Sequence, residues 1–150
     1  MTLPYRSAIV LVLLFSISSL AWGGELAGLW QEYDEDTENL EALVHIEKVS
    51  DGTYEGKIEK IFPDTVENSA LICTHCKGSL HDHPLLGLRV LSGMKRKDEL
   101  NFEGGEILDT DDGKTYQCRI RLTEDGNIIE ITSYINLDKI GPPEVWRRAN

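Results

Sequence analysis

Basic residues are scarce in this chain. Fifteen lysines and arginines stand against 26 aspartates and glutamates, a formal net charge of −11 over 150 residues. A surface of that sign repels nucleic acid phosphates and anionic lipid head groups, so neither is expected as a partner. The charge keeps the domain soluble, and its field favours cations or basic ligands over anions. Long apolar runs are also missing. Ala8 to Leu20 is broken by serines and falls short of the ~20 residues a spanning helix needs. There is no Gly-x-Ser-x-Gly elbow and no glycine-rich phosphate loop ahead of a helix, which removes two large enzyme classes. No acid–base pair stands out from spacing alone. No stretch after the first two dozen residues carries a helical period, and no repeat or low-complexity tract divides the chain.

What is present begins with a leader. Arg6 supplies a positive start, the Ala8–Leu20 run follows, and Ser19-Leu20-Ala21 and Ala21-Trp22-Gly23 each offer small residues at −3 and −1 of a signal-peptidase site. Neither site is followed by cysteine, which argues against lipid attachment. The expectation is a signal peptide over 1–23 and one domain over 24–150, periplasmic or secreted, without stable membrane insertion after cleavage.

The remainder punctuates as a β-protein. Leu29–Tyr33 opens a strand, and Leu43–Val49 and Thr53–Phe62 flank the Ser50-Asp51-Gly52 turn. Leu86–Met94 and Glu99–Leu108 form a second pair, followed by Thr115–Leu122, Asn127–Asn136 and Glu144–Arg148. Tyr116, Cys118, Ile120 and Leu122 alternate with Gln117, Arg119 and Arg121, giving one dry and one wet face. Ile129, Ile131 and Ile135 oppose Glu130 and Thr132 in the same way. About eight sequential antiparallel strands predict an all-β fold, a small up-and-down barrel, because closure removes exposed edges. Asp34–Glu41 reads as an acidic connection, and Pro63–Pro84 as a long loop.

That loop holds Cys73-Thr74-His75-Cys76, with Cys118 further on. In an exported protein a structural disulfide is the first expectation, with one thiol left over. Cys118, on the dry face, is placed to tie the loop to the barrel through Cys73 or Cys76. Zinc held by Cys73, Cys76, His81 and His83 is the weak alternative that comes next, with the His-x-His spacing and the oxidising compartment against it. A thioredoxin-like site ranks last because no helix N-terminus surrounds the pair. Gly28-x-Trp30 and Trp146-x-Arg148 lie at opposite ends of the chain. In a closed meander the first and last strands pair, which lets the Arg148 guanidinium stack on the Trp30 indole.

Gly28-x-Trp30, Tyr54-x-Gly56-Lys57-Ile58, Cys73-x-x-Cys76, Gly104-Gly105-x-Ile107-Leu108-Asp109, Gly113-Lys114-Thr115-Tyr116-x-Cys118 and Trp146-x-Arg148 together resemble the bacterial exported proteins catalogued as domain of unknown function 2147. The resemblance covers nearly all of the chain beyond the leader. It implies a lipocalin-like barrel with a Gly-x-Trp opening and a closing arginine, and binding or envelope housekeeping rather than catalysis. The chain departs from the pattern at Thr110, where the family has proline, and at Ser133, where it has glycine. It departs again at Gly141-Pro142-Pro143-Glu144, where a Gly-Arg-Thr-Gln-like turn is usual.

The expected function is therefore a non-enzymatic exported protein that binds a small, partly apolar ligand inside the barrel, with no cofactor. Tyr54, Ile58, Tyr116, Ile120 and Tyr134 are the expected lining, the phenols orienting a ligand within an apolar wall. The alternative is a solid barrel whose Cys-rich loop docks an envelope partner of unknown identity. A metal- or thiol-dependent enzyme ranks last.

Overall fold

The computed structural model describes residues 24–34, 36–62, 71–136 and 138–149, without the side chain of Ile140. The leader lies outside the described residues. Eight strands follow in order: β1 Gly28–Tyr33, β2 Leu40–Lys48, β3 Tyr54–Ile61, β4 Arg89–Arg96, β5 Asn101–Leu108, β6 Thr115–Leu122, β7 Ile128–Ile135 and β8 Asp138–Arg148. Each is antiparallel to its neighbour, and β8 returns to β1 to close a barrel. The only helical element described is a 3-10 turn at Gly78–Leu80. No described helix is long and apolar enough to cross a membrane.

Alternation carries the fold. Trp30, Val44, Ile46, Tyr54, Leu91, Phe102, Ile120, Leu122, Ile129, Ile131 and Trp146 all face inward and are buried, so every strand contributes one apolar side to a shared core. Asp51 shows how a hairpin is fixed. Its carboxylate accepts from the Thr53 amide at 2.9 Å and hydroxyl at 2.7 Å, which closes the turn between β2 and β3.

Strand limits match the sequence expectation to within two residues except at three starts. β2 starts at Leu40 rather than Leu43, because Leu40 already pairs with Tyr33 across a bulge. β4 starts at Arg89 rather than Leu86, because Leu85–Leu88 forms a turn and Leu86 is 60% exposed. β8 runs from Asp138, so Gly141-Pro142-Pro143 lies within a strand. The pairing shifts there, Ser133 opposing Ile140 and Ile131 opposing Glu144. The extra residues form a bulge, where prolines lacking an N–H interrupt no ladder bond.

The two ends of the barrel differ. The β2–β3, β4–β5 and β6–β7 hairpins lie at one end with residues 24–27, and that end is closed. The other connections, including the long segment between β3 and β4, surround the opposite end, called here the mouth.

Candidate functional site

At the closed end Leu26 plugs the barrel and its carbonyl accepts from Trp30 Nε1 at 2.9 Å. The Arg148 guanidinium lies 4.2 Å from the Trp30 ring centroid. It donates from Nε to Gly126 O at 2.7 Å, from Nη1 to Ala27 O at 3.1 Å and from Nη2 to Glu25 O at 2.5 Å. One side chain thus joins three segments. Gly28 is a glycine because its φ is +143° and a Cβ there would meet Arg148 Nη1 at 2.3 Å. Beside it, Arg96 stacks on Phe102 at 4.7 Å and donates to the Tyr54 hydroxyl at 3.3 Å. Buried side chains close this end, with a surface depression of about 410 Å³ beside the β6–β7 hairpin.

The mouth half is different. Counting by twos from Trp30 and Trp146 sets Glu32 and Glu144 on the inward face, and from Ile131 it sets Ser133 there. Glu32, Tyr116, Ser133 and Glu144 are all partly exposed although they face inward. These side chains keep partial contact with solvent above a floor of buried ones, and this region is called here the recess. Trp146 Nε1 donates to Glu144 Oε1 at 2.5 Å. Burial, and then the neighbouring charges of Glu144, Glu41 and Asp111, hold the Glu32 carboxyl well above the usual range. Burial likewise raises Asp111, which stands with Asp34 and Asp109 near the rim.

Residues 71–88 cap one side of the mouth. Within them Cys73 N–H donates to His83 O at 2.9 Å, Asp82 N–H to Cys73 O at 3.0 Å and Leu85 N–H to Leu71 O at 2.9 Å. The cap seats on the β5–β6 hairpin, where Cys73 Sγ lies 3.8 Å from Thr110 O and His75 acts on Asp111.

The expected bridge from Cys118 to this loop is not formed. Cys73 and Cys76 are bonded to each other, with Cα atoms 5.3 Å apart, and Cys118 is free. The bridge closes its own short turn, so it stiffens the cap instead of stapling it to the barrel. In the chain-entropy model so small a loop contributes roughly 2 kcal/mol, less than a long one. Both loop sulfurs are used by the bridge, which leaves the Cys73–Cys76–His81–His83 set without thiolates; His83 Nδ1 contacts Pro84 O at 2.9 Å instead. Cys118 is 2% exposed, and burial pushes its thiol up to about 12. Native protein should therefore resist iodoacetamide at neutral pH. Unfolded but unreduced protein should be alkylated at Cys118 alone. A mapped peptide joined through Cys118 would overturn the pairing.

The residues expected to line a ligand are scattered. Tyr54 lies buried at the closed end against Phe102, with ring centroids 5.4 Å apart. Ile120 and Ile58 belong to the buried floor. Tyr116 stands at the rim, and its hydroxyl donates to Asp112. Tyr134 is on the outer wall, since Ile129 and Ile131 face inward. There Arg119 stacks over it at 5.0 Å, beside a depression of about 550 Å³ that Gln117 and Gly104 also line. Of the expected set only Tyr116 reaches the recess opening. Glu32, Glu144 and Ser133 were not anticipated as a site, although the count of two from each tryptophan marks both carboxylates.

A family model described as an uncharacterized protein conserved in bacteria (DUF2147) matches residues 28–148. Among solved structures the chain is similar to a Helicobacter pylori protein, HP1028, described as belonging to the lipocalin family. The two are 20% identical with a TM-score of 0.69, over 84% of each chain. At that identity the likeness establishes the lipocalin-like fold alone. No curated protein matches the chain.

Proposed function

We propose that this chain, which belongs to the bacterial DUF2147 family, is an exported lipocalin-like protein that binds a small, partly apolar molecule in the mouth half of its barrel. The observation that supports this is the contrast between the two halves. Leu26, Trp30, Tyr54 and Phe102 are buried at the closed end, whereas Glu32, Tyr116, Ser133 and Glu144 face inward and remain partly exposed. An apolar recess with a few convergent polar groups is the usual form of a small-molecule site. The role is binding and not catalysis, and export rests on the leader read from residues 1–23.

Nile red, a neutral dye that brightens in apolar surroundings, tests the reading. The protein should enhance and blue-shift its emission, and Ser133→Trp, which fills the recess, should abolish the effect while the fold is kept. Native mass spectrometry of protein purified from its host should show a co-purifying small molecule. No dye response, or one indifferent to Ser133→Trp, would overturn the reading. It would favour the alternative of a docking protein, which one observation supports: Leu71, Leu80 and Leu86 are exposed on the cap.

A further inference from the structure

The outer wall of the barrel is hollow where its ladder breaks. Between β4 and β5 the pairs Ser92–Glu106 and Lys95–Glu103 form, and the pairing skips Gly93, Met94, Gly104 and Gly105 between them. Gly93 and Gly104 have φ of +65° and +76°, and a Cβ on either would meet nothing within 4 Å. The left-handed backbone favours glycine at both positions, so no side chain covers the wall there. The result is the depression of about 550 Å³ beside Tyr134, within the roughly 300–1,000 Å³ usual for small-molecule sites. Its lining is polar. Leu91, Ile107, Cys118 and Ile120 face the core, so Ser92, Glu106, Gln117 and Arg119 project from the outer face around the hollow. None of these four side chains makes a hydrogen bond or ion pair with another described residue. Glu103 at the rim is neutralised by Lys97 at 2.9 Å, and Glu106 and Arg119 carry opposite charges. The hollow is thus balanced in charge on a chain of net −11.

We infer that this hollow is a second binding site, separate from the barrel recess, and that it takes neutral carbohydrate. Glu106 offers acceptors only, Arg119 donors only, and Ser92, Gln117 and the Tyr134 phenol offer both. A sugar hydroxyl donates and accepts, so neighbouring hydroxyls on one ring meet all of these groups. An apolar ligand would strip the same groups of water and return no hydrogen bond. An anion would face Glu106, and a cation would face Arg119. The glycine floor lets a ring approach the backbone closely. Arg119 already lies over the Tyr134 ring at 5.0 Å. That stack holds two long side chains in place before the ligand arrives, which lowers the ordering cost of binding. The closed wall has no free strand edge here, which disfavours an added peptide strand.

The test titrates four trisaccharides into the isotopically labelled intact protein and follows its amide NMR signals. Cellotriose and chitotriose are neutral, fully deacetylated chitotriose is cationic and trigalacturonate is anionic. A neutral trisaccharide at millimolar concentration should shift the amides of Gly93, Gly104, Arg119 and Tyr134 and leave those of Trp30 and Trp146 in place. Both charged sugars should bind about tenfold more weakly. Arg119→Ala and Tyr134→Ala should each weaken the neutral sugar by about tenfold. Gln117→Trp, which puts an indole into the hollow and leaves the stack intact, should abolish its binding. All three changes lie on the outer face, so the core amides should keep their parent positions, which shows each variant to be folded. The Nile red response should be the same in all three as in the parent chain, so this site and the recess stand or fall separately. Neither neutral sugar shifting these amides, charged sugars binding as tightly, or unchanged affinity in the variants would overturn the inference. A sugar that shifts the Ser133 amide and displaces Nile red would overturn it too, and would place carbohydrate in the recess instead.

Discussion

Arg148→Ala should lower the free energy of unfolding by about 3–4 kcal/mol, whereas Arg147→Ala should cost no more than about 0.5–1 kcal/mol. The two side chains leave adjacent residues of β8 on opposite faces. Arg147 stacks over Tyr33 on the outer surface at 5.0 Å, where water competes for the guanidinium. Arg148 donates to the carbonyls of Glu25, Ala27 and Gly126 and covers the buried Trp30 ring. Truncation leaves three carbonyls to find water and opens one end of the core. The β1–β8 seam makes the loss larger, because among the described residues it is short, with the pairs Trp30–Arg148 and Gln31–Arg147 and a bond from Ala149 N–H to Leu29 O at 2.8 Å. Lysine at 148 should recover only part of the loss, since an ammonium cannot donate to three separated carbonyls while lying flat on an indole. Urea midpoints of the variants at equal salt decide the matter. Equal losses at 147 and 148 would mean that the closure is not held by Arg148.

The residues that made the barrel readable are those in which one constraint acts alone. Thr115–Leu122 alternates without interruption, so its dry face and strand limits follow from the sequence. Where two constraints meet, the sequence misleads. Pro142 and Pro143 signal a turn, yet the ladder continues past them because a bulge leaves their missing N–H groups unneeded. The phenol of Tyr134 suits a ligand lining, yet the count from Ile129 and Ile131 sets it outside. The cysteine pairing depends on how the 71–88 cap folds back on itself, and spacing contains no record of that. The inward acids were hidden for another reason. Glu32 and Glu144 are 112 positions apart and come to the same half of the barrel only because the first and last strands are neighbours. Each looks like an ordinary surface glutamate until the barrel is closed.

Gly113→Ala should detach the cap from the barrel, and it should do so far more strongly than the same change at Gly126. The two glycines have nearly the same backbone, φ +70° and +72°, so alanine pays the same left-handed penalty at both, about 1 kcal/mol. They differ in what surrounds them. A Cβ at 126 would meet nothing within 4 Å. At 113 it would lie 1.9 Å from His75 O, 2.2 Å from the His75 carbonyl carbon and 2.6 Å from Cys76 N. Those atoms are backbone, braced by the Cys73–Cys76 bridge, and cannot rotate away as a side chain would. The cap must lift off the hairpin and loosen its own turns as it does so, giving up the burial of Cys73 and Cys76. The expected cost is a further 2–3 kcal/mol, roughly, as for other overpacked core positions. It is a local cost. Hydrogen exchange at the Cys73 amide, whose bond to His83 O closes the cap, should accelerate by about a hundredfold for ~2.7 kcal/mol of lost local stability. The amides of β6 and β7, which pair within the barrel wall, should keep their protection. Equal acceleration in Gly113→Ala and Gly126→Ala, or a uniform loss across cap and barrel, would show that the cap does not seat on this hairpin as an independent unit.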